Sequence, residues 1–368
     1  MKLAVFHLLN DYSGSSKVLR NVLDAVARRG ADVELHTSPH GVLDEPAARS
    51  NVRLHRVPYR FGGHLTALRY AIVQMRLFFS GLRYAGSDHI FYINTILPVG
   101  AALAGKLTGH RVIYHYHENA HAKGLVYRIL SGAMQWLASD IICVSDYQRG
   151  YLKRTRRVHL IPDSLPDDFV RALHPDADSA FDRRRVLMLG SLKAYKGTRE
   201  FAELASMLPE YEFELVINAD RPQIDAYLDK QGIAVPANLT IHSRQTDVAP
   251  FYNRASVVVN LSNRSTFIEA FGLTPLEGMA AGLPAIAPSV GGVTEIVADK
   301  ENGYTIDVRN LEQIAERIRQ LLTDRELYRK LSAAALATSR RNCFTQAGFE
   351  QSLEKVLDSI SEPTQANN

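Results

Sequence analysis

Short apolar runs alternate with helix-spaced segments along the first 165 residues. Leu3 to Leu9 is apolar almost throughout, and Lys17 to Arg29 then places Val18, Val22 and Val26 at helical spacing before stopping at Gly30. Val33 to His36 reads as the next strand. His89 to Asn94, Arg111 to Tyr116, Ile141 to Ser145 and Val158 to Pro162 continue the series, each beside a helical segment. Strand and helix in alternation predict a parallel sheet covered on both faces. From Pro166 to Arg184 the periodicity is lost among clustered Asp, Pro, Ala and Arg, so this stretch reads as a linker. A second series follows, with strands at Val186 to Leu189, Glu214 to Ile217, Thr240 to His242, Val257 to Leu261 and Ala285 to Ala287. Helices are expected over Leu311 to Leu322 and Asp324 to Arg340, and a last one over Gln346 to Ile360.

One helix stands out. Leu65, Leu68, Ile72, Met75, Phe79 and Leu82 repeat at intervals of three and four, which predicts an apolar seam packed into the core. Arg69, Arg76 and Arg83 form a second stripe with Tyr70, Leu77 and Tyr84 beside it. No acidic residue lies between Glu45 and Asp88. Cations beside exposed aromatics suit an anionic membrane surface, the alternatives being a plain basic surface or a site for an anionic acceptor. The net charge of +4 conceals this asymmetry: residues 1–162 carry 21 Lys and Arg against 10 Asp and Glu, and the remainder 22 against 29. A nucleic-acid role lacks any accompanying fold signal.

With 368 residues the chain exceeds one ordinary core and fits two domains, and 46% hydrophobic residues without a low-complexity tract lets both fold compactly. Only the tail from about Ser361 reads as disordered. No apolar run is long enough to span a bilayer, and the opening segment reads as a buried strand, not a signal peptide. Cys143 and Cys343 lie far apart without metal spacing, so both are expected to be buried, reduced thiols of a cytosolic protein.

Chemistry-bearing residues concentrate near residue 270. Glu269 and Glu277 bracket a stretch in which Phe271-Gly272-Leu273-Thr274 would turn into a helix, and Gly278 to Ala287 and the Gly291-Gly292 turn follow. Free amides at such a helix start can hold a phosphate, and Glu277, one turn in, can accept hydrogen bonds from a ribose diol. A carboxylate near a helix start is by itself weak evidence, since the dipole favours it anyway. Taken together with Pro288 to Val297, however, these residues resemble the Glu-x7-Glu signature of the family 4 retaining glycosyltransferases. That resemblance covers nearly the whole chain and is most specific from Val186 to Val297.

It implies an α/β protein of the GT-B fold, two Rossmann-like domains facing across a cleft. Residues 1–165, joined by a returning helix at 346–360, would form the acceptor-side domain, and residues 184–345 the nucleotide-sugar domain. The donor would be a UDP- or GDP-sugar. Gly190-Ser191-Leu192-Lys193-Ala194-Tyr195-Lys196-Gly197 is similar to the family's Gly-Arg…Lys-Gly element, with Lys196 matching the Lys and Ser191 standing where an Arg is usual. A departing diphosphate needs positive charge, and this family supplies it from side chains, so no metal is expected. The resemblance assigns Lys196, Ser191, Lys193 and the amides of Leu273 and Thr274 to the diphosphate. Glu277 would take the ribose and Glu269 the donor sugar, and His117 would meet the sugar from the other domain. Gly14, in Asp11-Tyr12-Ser13-Gly14-Ser15-Ser16, sits where the family often has two glycines, and Ser15 or Ser16 is positioned to cap the helix that follows. Val158 to Asp163 is similar to the family's Ile-Pro-Asn element, with Asp163 for Asn.

Other clusters invite metal readings. Alternation puts His115 and His117 on one face, with His121 nearby, but no neighbouring Asp or Cys completes a zinc set. Asp176-Ala177-Asp178 matches an Asp-x-Asp pair and reads as a solvated loop. The expected activity is metal-independent, retaining transfer of a sugar to a lipid-linked or surface-polysaccharide acceptor at the cytoplasmic face of a membrane. A nucleotide-sugar epimerase on the same fold, or a non-catalytic binding module prompted by Ser191, are the alternatives.

Overall fold

In a computed structural model, which describes residues 1–361 apart from 50, 61 and 154–156, the chain divides into two units. The tail beyond Ser361, expected to be disordered, lies outside the described residues. The first unit comprises Met1–Asp163 and the segment from Gln346 onward. Its sheet contains β1 (Lys2–His7), β2 (Asp32–Thr37), β3 (Val52–Arg56), β4 (Ile90–Asn94), β5 (Val112–Tyr116), β6 (Asp140–Cys143) and β7 (Val158–Leu160). All neighbours are parallel, in the order β3-β2-β1-β4-β5-β6-β7. Strands β4 and β5 are buried at every position, as a sheet covered on both faces requires. The edge strand β3 escapes the periodicity reading because Arg53, His55 and Arg56 break its short apolar pattern.

The helix Thr66–Leu82 corrects one expectation outright. Its buried residues are Val73, Leu77 and Gly81, whereas Leu65, Leu68, Ile72, Met75 and Phe79 are exposed, Met75 at 61%. The supposed core seam therefore faces outward. Tyr70 and Tyr84, expected beside the arginines on the surface, turn inward, and their hydroxyls bond the Leu97 carbonyl and His36 Nε2, each at 2.8 Å. The reason is close packing against the neighbouring helix Val99–Leu107. A side chain at Gly81 would meet Ala104 Cβ at 2.7 Å, and one at Gly100 would meet the Gln74 carbonyl oxygen at 2.1 Å. Small residues, not the longest apolar ones, decide which face docks. Arg69, Arg76 and Arg83 remain exposed on the outward side.

The C-terminal helix Gln346–Ser361 belongs to the first unit and pairs with the helix Gly14–Arg28 through Arg28–Glu350 and Arg29–Asp358. It buries Phe349, Leu353 and Leu357 there.

The second unit, Ser164–Thr345, repeats the architecture. Its strands are β8 (Arg185–Gly190), β9 (Glu212–Ile217), β10 (Leu239–His242), β11 (Val257–Val259), β12 (Ala285–Ala287) and β13 (Gly303–Thr305). They are parallel in the order β10-β9-β8-β11-β12-β13. In both sheets the order reverses beside the first strand, and ligands of such sheets bind beyond the strand C-termini at that reversal.

The stretch expected as a linker is instead helical, over Asp167–Arg171 and Ala177–Arg183, and is part of the second unit. The Asp-x-Asp pair is not a solvated loop either. Asp176 caps the second of these helices by accepting from the amides of Asp178 and Ser179, and Asp178 pairs with Arg325 at 2.9 Å and Arg329 at 2.7 Å. Capping and ion pairing use the very residues whose clustering read as a loop. Cys143 is buried as expected, whereas Cys343 is exposed. Among the described residues no helix is long and apolar enough to cross a membrane.

Candidate functional site

At the reversal point of the second sheet, the loops after β8 and β11 bring Lys196 and Glu269 together. Lys196 Nζ lies 2.5 Å from Glu269 Oε1. Gly197 makes this possible: its φ of +81° is left-handed, and a Cβ there would meet the Leu261 carbonyl oxygen at 2.5 Å. On the other side Gly291, at φ +118°, leaves room for the backbone of Glu269, whose carbonyl accepts from the Gly292 amide at 2.9 Å. The Lys196 ammonium also stands 4.6 Å above the ring of Phe267, which stacks on Tyr195.

Glu269 is half-buried, its carboxyl largely withdrawn from water, which by itself would raise its pKa. The charge of Lys196 and hydrogen bonds from Lys196, Ser262 and Asn260 outweigh that cost and hold the carboxyl below its ordinary value. All three donors meet the same oxygen: Ser262 Oγ reaches Oε1 at 2.7 Å and Asn260 Nδ2 at 3.3 Å. Among the described residues Oε2 receives no hydrogen bond. One oxygen is anchored and the other is available to a ligand hydroxyl.

The helix after this carboxylate runs from Leu273 to Ala280 with Gly272 as its N-cap. Leu273 and Thr274 thus occupy the first turn, where backbone amides lack intrahelical acceptors. Glu277, half-buried, accepts a hydrogen bond of 2.5 Å from the hydroxyl of Tyr252, which is fully buried. Burial first, and then the neighbouring Glu277 carboxylate, push the Tyr252 phenol well above its ordinary pKa, so it stays a donor. Ser191 lies half-buried just past β8, and its carbonyl accepts from the Lys193 amide at 2.7 Å. Lys193 itself is exposed.

The first sheet presents a different set at its own reversal point. Asn94, at the end of β4, donates through Nδ2 to the Ser15 carbonyl at 3.1 Å and to His7 Nδ1 at 3.0 Å. A carbonyl can only accept, so the amide orientation is settled, and Asn94 Oδ1 accepts from His117 Nε2 at 2.9 Å. His117 therefore carries its proton on Nε2 and keeps a lone pair on Nδ1. By the same logic His7 donates from Nε2 to Ser16 Oγ at 3.0 Å, and Ser16 Oγ lies 2.9 Å from Asp11 Oδ1. Burial, then His115 and His7 beside it, hold the His117 imidazole well below its ordinary pKa, so it is neutral.

Gly14 begins the helix Gly14–Arg28 and is exposed. The expectation that Ser15 or Ser16 caps this helix is corrected: the N-cap is Ser13, and Ser16 is buried in the first turn within the histidine network.

The rings of His115 and His117 lie tilted at 39° with centroids 4.1 Å apart, and Asp163 completes a group of three whose possible metal-binding atoms all lie within 4.8 Å of one another. The reading that no acidic residue completes this set is thereby overturned. Asp163 follows β7, which only β6 separates from β5 in the sheet.

Asn260, Ser262, Tyr252, Asn94 and His7 were missed in the sequence. Asn94 and Asn260 did leave a trace: Asn94 is the last residue of buried β4 and Asn260 the first after buried β11, each ending an apolar run with an amide. Tyr252 left none, because an aromatic in a short helix reads as core.

Two family models match the chain: Glycosyltransferase Family 4 over residues 12–168 and Glycosyl transferases group 1 over residues 171–338. A D-inositol 3-phosphate glycosyltransferase of Xylanimonas cellulosilytica is 24% identical over 96% of this chain and 93% of its own length. Among solved structures, Anabaena HepE in complex with UDP and glucose superposes with a TM-score of 0.78 at 18% identity, covering 98% of this chain and 100% of that one. WaaG, a glycosyltransferase involved in lipopolysaccharide biosynthesis, gives 0.70 at 20% identity, covering 98% and 100%. These structural likenesses establish the two-domain GT-B fold.

Proposed function

The chain belongs to the family 4 glycosyltransferases, and from that premise we propose that it transfers a sugar, with retention and without a metal, from a UDP- or GDP-sugar. The observation that carries this reading is the anchored pair of Lys196 and Glu269 at the reversal point of the second sheet. Lys196 is the cation that meets the diphosphate, joined by the amides of Leu273 and Thr274 and, with smaller weight, by Ser191 and Lys193. When the glycosidic bond breaks, negative charge grows on the diphosphate, and a fixed cation stabilises that transition state more than the ground state. Glu277, oriented by Tyr252, accepts from the ribose diol. Glu269 accepts a sugar hydroxyl on its free oxygen. His117, neutral and with Nδ1 open, accepts another, and the network ending at Asp11 fixes its tautomer.

UDP is favoured over GDP because HepE was solved with UDP and glucose. The acceptor is a lipid-linked or surface-polysaccharide intermediate at the cytoplasmic face. Two observations support this: WaaG acts in lipopolysaccharide biosynthesis, and the helix Thr66–Leu82 exposes an apolar ridge beside Arg69, Arg76 and Arg83. Apolar side chains inserted among acyl chains with arginines at the headgroups are what an interfacial helix requires. Incubating purified protein with UDP- and GDP-sugars, with and without a lipid-linked acceptor and in EDTA, tests the reading. Nucleotide release that depends on acceptor and survives EDTA is expected. Loss of transfer in EDTA, restored by Mn²⁺, would overturn the metal-free chemistry.

A further inference from the structure

The histidines on β5 leave two buried polar atoms without partners. His115 is fully buried, and its Nε2 has no hydrogen bond. Asp163 is 6% exposed, and its Oδ1 has none either. Leaving a buried nitrogen or carboxylate oxygen without a partner is costly, because each has given up its water. Two such costs side by side, in one cluster with a third potential ligand, need a physical reason.

The surroundings of the histidines supply it. His115 Nδ1 lies 2.7 Å from the Tyr92 hydroxyl. A ring that gives its Nδ1 proton to that oxygen keeps the Nε2 lone pair free, which is how metal-bound histidines are commonly held. His117 donates from Nε2 to Asn94, which leaves its Nδ1 lone pair free. Two nitrogens and one carboxylate oxygen lie within 4.8 Å of one another. Tetrahedral zinc, with ligands at about 2.1 Å, separates them by about 3.4 Å, so the widest pair has at most about 1.4 Å to close.

We propose that His115, His117 and Asp163 bind a divalent cation of the zinc class in a three-ligand site with an open fourth position. Mixed imidazole and carboxylate donors fit zinc, whereas Mg²⁺ and Ca²⁺ prefer oxygen throughout. The cation meets the free lone pair of His115 and the unpartnered carboxylate oxygen of Asp163. It is not required for transfer. On the reading of His117 given above, the metal occupies the lone pair that a sugar hydroxyl would use, so bound zinc inhibits.

The test uses the full chain, stripped with chelator and titrated with Zn²⁺ against a chromophoric competitor, with Co²⁺ as a visible-absorption reporter of coordination. One equivalent should bind, and Co²⁺ should give the intense bands of a four-coordinate site. Asp163→Asn should weaken binding at least tenfold. Tyr92→Phe, which keeps all three ligands and removes only the partner of His115 Nδ1, should weaken it about 10- to 100-fold. Circular dichroism checks folding, and if Asp163→Asn misfolds, Tyr92→Phe still decides. No binding by the parent, or equal binding by parent and Tyr92→Phe, overturns the site in favour of a proton shared between His115 and Asp163. Zinc that binds as described without slowing transfer leaves the site standing and counts against His117 in the donor reading.

Discussion

The two sheets share a strand order, but the residues at their reversal points are wired differently. In the second unit an ammonium and a carboxylate are held together, and three donors converge on one oxygen of Glu269. In the first unit the equivalent place holds neutral imidazoles joined through Asn94 to Ser16. Backbone topology supplies a crevice in each case, and a handful of side chains just past the strand ends set its electrical character. A charged crevice suits a diphosphate; a neutral, hydrogen-bonding one suits hydroxyl groups. Topology alone would not distinguish them.

The contrast is easiest to break at Lys196. Replacing it with Ala should lower kcat/KM by about 10²- to 10³-fold, or roughly 2.7–4 kcal/mol, as loss of a preorganised charge at a developing anion does. Melting temperature should be followed in parallel, because Glu269 then loses its counter-ion. An unchanged kcat/KM in a folded variant would remove the ion pair from the chemistry. Next comes the exposed ridge, which belongs to the first unit's side of the comparison. Changing Arg69, Arg76 and Arg83 together to Gln should weaken binding to anionic vesicles by about 3 kcal/mol on an additive basis, with the parent's binding falling as salt rises. Sedimentation that is the same for parent and variant would reduce the stripe to a basic surface.

Glu277→Gln keeps shape but loses a charge-assisted bond, so nucleotide affinity measured by calorimetry should drop by about 1.5–3 kcal/mol. His117→Ala, on the neutral side, should cost only about 0.5–1.5 kcal/mol in kcat/KM. A loss as large as that of Lys196→Ala would mean that His117 carries charge in the transition state. The smallest effect concerns acid. The Glu269 pKa is depressed in the folded protein, so the stability it contributes is fully present above its ordinary value of 4.5 and is lost as pH falls through the folded value. The stability gap between parent and Glu269→Gln should therefore be constant near neutrality and narrow below about pH 4.5. A gap independent of pH down to unfolding would show that Lys196 contributes nothing to that carboxyl.

Strands buried on both faces were legible because their apolar runs are continuous, as in Leu3 to Leu9 and Val257 to Leu261. The edge strand Val52–Arg56 was not, since only Val52 of its five positions is buried. The Glu269 to Glu277 spacing marked the candidate site, but the partners that hold those carboxylates did not announce themselves: Ser262 and Tyr252 are common residues whose role depends on which loops meet. The outward ridge at Leu68, Ile72 and Met75 misled for a related reason. A helix with two apolar faces gives no clue from periodicity alone as to which one docks. That was decided by Gly81 and Gly100, where backbones approach closely.

The segment Gln346–Ser361 carries a consequence for how the protein is made. During synthesis the ribosome completes the seven strands of the first sheet long before this helix emerges, with the whole second unit translated in between. Until then the nascent first unit exposes the apolar surface that Phe349, Leu353 and Leu357 later cover. It must wait, nearly finished, for a helix translated only after the second unit. A gene fragment ending at Asp163 would stay in that waiting state, prone to aggregate, whereas a permuted gene that begins with residues 346–361 and continues into Met1 would supply the cover first.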